Sequence, residues 1–331
     1  MTQLFTCPDI DPQQWQALID RSPYATWFQT KEAYEFYAAN KEEMTPFAVG
    51  VEEDGHLTGV IVGYTTQEKN PIKQRFTCRS IVIGGPLLDE CISDNALSNL
   101  LLALKHITKD SIYIETRNFK DYSNYKSVFE SSGFQYQPHL NIQVTCDEAH
   151  TMSEQRIRQV KKALKNGAEI VEASSEQEIR DWYEILYKLY REKVRTPLFS
   201  EEFFMQFYRE GVGKYLLVKH QGKVIGGMMC PILDGKAIYE WFVCGLDEEY
   251  REQYPSVMAT YAAIEYAKTN ALPLFDFMGA GKPDVPYGVR DFKMEFGGGL
   301  LEHGRFLCVR KPLLYKIGKM GVRLSKRRNI K

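Results

Sequence analysis

Two stretches of the chain repeat one pattern of apolar runs broken by polar turns. Residues 47–64 read FAVGVEEDGHLTGVIVGY, an apolar strand, a polar turn at Asp54 and Gly55, and a second strand entered through Gly59. That is the signature of a β-hairpin. Residues 215–232 read YLLVKHQGKVIGGMMCPI, with the turn at Gln221 and Gly222 and the second strand entered through Gly226. Both glycine pairs are 167 residues apart, about half of the 331-residue chain. An internal repeat of that length predicts two copies of one architecture.

The same succession of elements follows each hairpin. A further strand with an acidic turn comes next, IVIGGPLLDE at 81–90 and IYEWFVCGLDEE at 238–249. Apolar residues then fall at helical spacing in ALSNLLLALKHI (96–107) and VMATYAAIEYAKT (257–269), and a short strand closes each copy, SIYIET (111–116) and LFDFM (274–278). A helix crossing between the last two strands predicts an α+β fold in which each copy is a mixed, mostly antiparallel sheet flanked by helices. Between the copies, residues 153–167 (SEQRIRQVKKALKNG) read as a basic helix stopped by Gly167, and residues 181–194 as an amphipathic one. The expected domains are 1–150 and 151–309, with a basic amphipathic tail at 310–331.

Composition is that of a folded globular protein, 44% apolar and 26% charged, which excludes a disordered or fibrous chain. Charge is less uniform than its sum. Lys and Arg number 42 and Asp and Glu 43, yet residues 310–331 hold nine basic residues and no acid. The preceding 309 residues therefore carry 33 basic against 43 acidic side chains, or −10, and the tail +9. Seven scattered cysteines without a C-x-x-C, and six histidines without an H-x-x-x-H, predict reduced thiols and no metal. No apolar run of membrane-spanning length and no signal-type segment is present, so the expected location is cytoplasmic.

Four segments of the second half carry a family likeness: RIRQVKKALKNGAEIV, YREKVRTPLFSEEFF, YPSVMATYAAIEYAKTNALPLFDFMGA and GVRDFKMEFGGG. With the order of elements, they resemble the GNAT acyltransferase fold and, as a tandem of two such domains, the Fem family of bacterial aminoacyltransferases. In the first half the likeness rests on layout alone. Members of that family add amino acids from aminoacyl-tRNA to the stem peptide of peptidoglycan precursors. The resemblance implies that Lys293, in DFKMEFGGG, stabilises the tetrahedral intermediate, and that Phe292 packs against the tRNA acceptor end.

Acyl transfer to an amine needs no protein nucleophile; the enzyme positions the reactants and stabilises the oxyanion. Asp276, between Phe275 and Phe277, either accepts a proton from the attacking amine or is buried and organises the turn at Gly279 and Gly281. Glu240, beside Tyr239 in IYEWFV, has the same two roles open. Arg195 is suited to grip a phosphate or carboxylate, with pairing to Glu192 as the competing role. The candidate catalytic residues are thus Lys293 and Asp276, and the candidate substrate-binding residues Phe292, Arg195, Glu240, Tyr239 and Gly279.

The donor is expected to be aminoacyl-tRNA or an acyl-CoA, with no bound cofactor. GNAT enzymes hold the CoA pyrophosphate on backbone N–H groups of a glycine-rich turn opening a helix. The corresponding stretch here, REQYPSVMA (251–259), has no glycine and includes Pro255, which disfavours acyl-CoA. The acceptor is expected to be an amine of a cell-envelope precursor. Two departures from the Fem pattern stand out: Glu35 and Tyr37 fill the place of its precursor-binding lysine, with Lys31 closer to Gln29, and its long helical-hairpin insertion is missing. In PLLYKIGKMGVRLSKRRNIK, Leu313, Ile317, Met320 and Leu324 share one helical face, with Lys316, Lys319, Arg323, Lys326, Arg327 and Arg328 on the other sides, a pattern suited to anionic lipid at the inner face of the plasma membrane or to tRNA phosphates. The remaining alternatives are an acyl-CoA-dependent N-acetyltransferase and a degenerate tandem that binds without chemistry.

Overall fold

The computed structural model describes residues 2–68, 70–147 and 149–328, the side chains of 71, 73 and 321–328 excepted. The chain forms two compact units, Met1–Pro138 with His303–Lys331, and His139–Glu302. Each contains an eight-stranded sheet.

In the first unit the strands run Thr2–Thr6, Met44–Glu53, His56–Thr66, Arg79–Gly84, Tyr113–Asn118, Arg305–Val309, Gln135–Gln137, and Leu87–Leu88 pairs on the side with His56–Thr66. Arg79–Gly84 and Tyr113–Asn118 are parallel, and the helix Asp94–Ile107 crosses between them. Its apolar face, Leu97, Leu100, Leu101 and Leu104, is fully buried in a core shared with Val49, Ile61 and Ile114.

In the second unit the order is Gly299–Glu302, Leu140–Thr145, Leu274–Asp276, Ala237–Tyr239, Lys223–Leu233, Gly213–His220, Ala168–Glu172, with Phe242–Gly245 also on Lys223–Leu233. Here the parallel pair is Ala237–Tyr239 with Leu274–Asp276, and the crossover helix is Pro255–Thr269. That helix buries Met258, Ala259, Ala262 and Ala263 against Met228, Ile238 and Phe275.

The repeat read from the sequence extends to backbone detail. Both hairpins turn through two left-handed residues, Asp54 (φ 52°) and Gly55 (φ 83°), and Gln221 (φ 50°) and Gly222 (φ 77°). Such a turn matches the twist of the flanking strands and favours glycine at its second position. Each hairpin also has a register shift just before its turn, between Val51 and Glu52 and between Val218 and Lys219.

The unit boundaries differ from those expected at 150 and 309. Leu140–Thr145 already belongs to the second sheet, where Val144 lies opposite Phe275, while Arg305–Val309 returns to the first, where Cys308 lies opposite Ile114. A strand's own pattern shows that it pairs but not with what. The expected tail is a helix, Pro312–Arg328; residues 329–331 lie outside the described residues.

Candidate active site

At the carboxyl end of the parallel pair, Tyr239 stands in register with Asp276, and both are almost wholly buried. Beyond the second of these strands the chain turns sharply at Met278 (φ 57°) and Gly279 (φ 148°). The Asp276 carboxylate accepts the Met278 backbone N–H at 2.7 Å, Gln143 Nε2 at 2.7 Å and Asn141 Nδ2 at 3.0 and 3.1 Å. With three donors making four contacts and no solvent exposure, it organises the turn. Asn141 and Gln143 had a signal in the sequence: they are the alternate polar positions of an otherwise apolar strand, LNIQV, and so share one face.

Lys293 lies on the short helix Gly288–Met294 and is 8% exposed. Its ammonium donates to the backbone carbonyls of Phe277 at 2.9 Å and Gly279 at 3.0 Å and pairs with Glu240 Oε1 at 2.8 Å. An ammonium has three protons, and here each has an acceptor. Glu240, itself 7% exposed, follows the strand Ala237–Tyr239, and its backbone N–H bonds to the Asp276 carbonyl at 2.9 Å. Among the described residues, Lys293 is the one side chain that bonds its carboxylate. Burial pushes the Glu240 carboxyl above the usual carboxylate range, the Lys293 charge opposing and the Asp276 charge adding to that rise.

Phe292, the neighbour of Lys293, is half-buried. The Arg156 guanidinium lies 4.4 Å from its ring centroid and 5.3 Å from that of Phe296, and makes a 3.3 Å ion pair with Glu295. Arg156, one of the five basic side chains of the helix Glu154–Lys165, is only 7% exposed. Phe292 also lines a cleft of about 430 Å³ floored by Leu189, Val243 and Leu246, which reaches Asp247 and Ser256 at the start of the helix Pro255–Thr269.

That helix start carries its own anion. Asp247 accepts the Ser256 backbone N–H at 3.0 Å and the Ser256 hydroxyl, so a side-chain carboxylate fills the place where a helix N-terminus would bind a phosphate. The first unit repeats the arrangement: Glu53 accepts the backbone N–H of Ser93 at 3.2 Å and its hydroxyl at the start of Asp94–Ile107. Neither carboxylate was identified from the sequence: Asp247 lies nine residues before Ser256, and Glu53 forty before Ser93, whose own side chain caps the helix.

The structure thus brings Lys293, Glu240, Asp276, Tyr239 and Gly279 together, with Phe292 beside them on the cleft. Arg195 is not in this cluster. It is exposed and left-handed (φ 55°) at the end of a π turn, Tyr190–Val194, and its Nε donates to the Glu192 carbonyl at 3.1 Å, while the Glu192 carboxylate pairs with Arg191. No group of three His, Cys, Asp or Glu side chains suited to a metal occurs among the described residues.

Residues 153–294 match the family described as Acetyltransferase (GNAT) domain. No curated protein matches the sequence. Among solved structures, the chain is similar to FemX, with a TM-score of 0.72 and 16% identity over 95% of this chain and 99% of that one. It is also similar to L-PGS from Bacillus licheniformis (TM-score 0.59, 13% identity, 93% and 96% covered). A third likeness is to a tandem GNAT protein from the clavulanic acid biosynthesis pathway (TM-score 0.54, 11% identity, 93% and 98% covered). The fold is therefore a tandem of two GNAT-like domains, similar to that of FemX, and the acetyltransferase family match is confined to residues 153–294 of the second unit.

Proposed function

We propose that the protein moves an aminoacyl group from aminoacyl-tRNA onto an amine of a cell-envelope precursor. The observation that carries this reading is the buried Lys293–Glu240 pair next to a cleft whose phosphate position is filled by Asp247. The pair supplies what transfer to an amine needs, and the filled N-terminus opposes a CoA pyrophosphate.

The acceptor amine attacks the ester carbonyl, forming the C–N bond and placing a negative charge on oxygen. Glu240 takes the proton that the nitrogen loses. Once neutral, Glu240 no longer holds Lys293 by charge, and the N–H it occupied turns to the oxyanion. Collapse of the intermediate re-forms the carbonyl and breaks the bond to the ribose oxygen, which leaves with the proton from Glu240. The lysine thus keeps one negative partner throughout, first the carboxylate and then the oxyanion, so no net charge is buried during the step. Asp276 holds the turn that presents the Phe277 and Gly279 carbonyls, and Phe292 offers its cleft-side surface to the acceptor-end base.

The match to an acetyltransferase domain favours a second reading, with an acyl-CoA as donor. Transfer assayed in parallel from charged tRNA and from acetyl-CoA separates the two: turnover with tRNA alone supports the first reading, and turnover with CoA alone overturns it. An inert protein with every donor supports a binding module.

A further inference from the structure

We infer that the C-terminal helix Pro312–Arg328, with its neighbour Pro71–Thr77, is a docking surface for an anionic lipid bilayer. The helix has two apolar sides where a surface helix needs one. Leu314, Tyr315 and Gly318 face the first unit, lining a cavity with Phe76 and Tyr113, and the Tyr315 ring meets Tyr113 edge-on at 5.3 Å. Leu313, Ile317 and Met320, spaced along another stripe, are 77%, 54% and 60% exposed. No core explains that stripe.

The charge around the stripe is of one sign. Lys316 and Lys319 are exposed beside it, and the sequence from 310 to 331 holds nine basic residues and no acid. The neighbouring helix repeats the combination: Ile72 is 73% exposed, and residues 71–77 (PIKQRFT) contain two basic residues and no acid. Apolar side chains standing out of a basic surface fit the boundary between phosphate headgroups and acyl chains. A nucleic acid would use the charge and leave the apolar stripe in water. The −10 carried by residues 1–309 is repelled by the same bilayer, which leaves the basic patch as the side that approaches it.

The surface is independent of which acyl donor is used, so its test requires no turnover. The full chain is sedimented with vesicles of phosphatidylcholine alone or with one quarter phosphatidylglycerol, at low and high salt. Binding is expected to the anionic vesicles and to weaken with salt. Ile317→Asn with Met320→Asn, and separately Lys316→Glu with Lys319→Glu, should each weaken it by about tenfold or more, as the loss of buried apolar area or of two basic contacts requires. These side chains are exposed, and an unchanged circular dichroism melt confirms that both variants fold. Three outcomes overturn the inference: no binding to anionic vesicles, equal binding to neutral ones, or full binding by the Asn variant. A fourth also does: tRNA bound through the lysines, insensitive to the Asn changes, with no vesicle binding.

Discussion

In the proposed mechanism Lys293 is the residue on which the chemistry turns, and its surroundings set what a substitution does. Lys293→Ala removes the cation that would meet the oxyanion, and turnover should fall by about two orders of magnitude or more. It also leaves Glu240 buried without its partner, at a cost of about 3–5 kcal/mol, so a melting curve must accompany the rate. Glu240→Gln keeps the shape and separates the roles. If Glu240 accepts the proton, kcat/KM of the parent falls on the acid side with an apparent pKa above that of an ordinary glutamate, because the carboxyl is raised by burial. The Gln variant should be slow and lack that limb; an unchanged acid limb would remove Glu240 from proton transfer. The motif pointed to Lys293, whereas its three bonds depend on carbonyls 14 and 16 residues away and on the Glu240 carboxylate 53 residues away.

Among the elements, the starts of the two crossover helices behave as sealed ends. Asp247→Ala should lower stability by about 1 kcal/mol, as loss of a helix cap does, and open two donors in the cleft. If the sealed end is what opposes a pyrophosphate, CoA binding measured by calorimetry should be stronger in this variant than in the parent. Tight CoA binding by the parent would refute that role. The strand Tyr113–Asn118 carries another such link: Glu115 lies between Arg117 at 2.8 Å and Arg305 at 3.2 Å. Against the opposing effect of burial, the two guanidinium groups hold its carboxyl at about 2. A depressed carboxyl adds stability above its unfolded pKa and loses it as pH falls through the folded value. The contribution is about 3 kcal/mol at neutral pH, lost between pH 4.5 and 2. Parent and Glu115→Gln should therefore converge in urea stability as the pH approaches 2. Parallel curves would show that the carboxylate adds nothing.

For the whole molecule, the return of the chain to its first unit matters most. Arg305–Val309 lies between Tyr113–Asn118 and Gln135–Gln137, so its removal leaves Gln135–Gln137 without a partner, exposes one edge of Tyr113–Asn118 and strips Phe306 from Phe129, on which it stacks at 3.9 Å. A chain ending after Glu302 should lose the cooperative unfolding of the first unit, while one ending after Lys311 should keep it. Equal melting of the two would mean that the strand is dispensable. No helix among the described residues is long and apolar enough to cross a membrane.

The sequence by itself determined the repeat. The hairpins, their turn residues, the crossover helices and the parallel closing strands are local patterns of period 2 and 3.6, repeated at one offset, and a local pattern needs no knowledge of partners. It also exposed the split of charge, because charge can be counted along a chain. Only the tertiary structure decided which strands cross the boundary, that Arg156 is buried under Phe292, that Asp276 is consumed by its turn, and that carboxylates seal both helix starts. Each of these depends on which groups the fold brings together, where burial and pairing rather than residue type decide whether a charge is solvated, structural or poised to react.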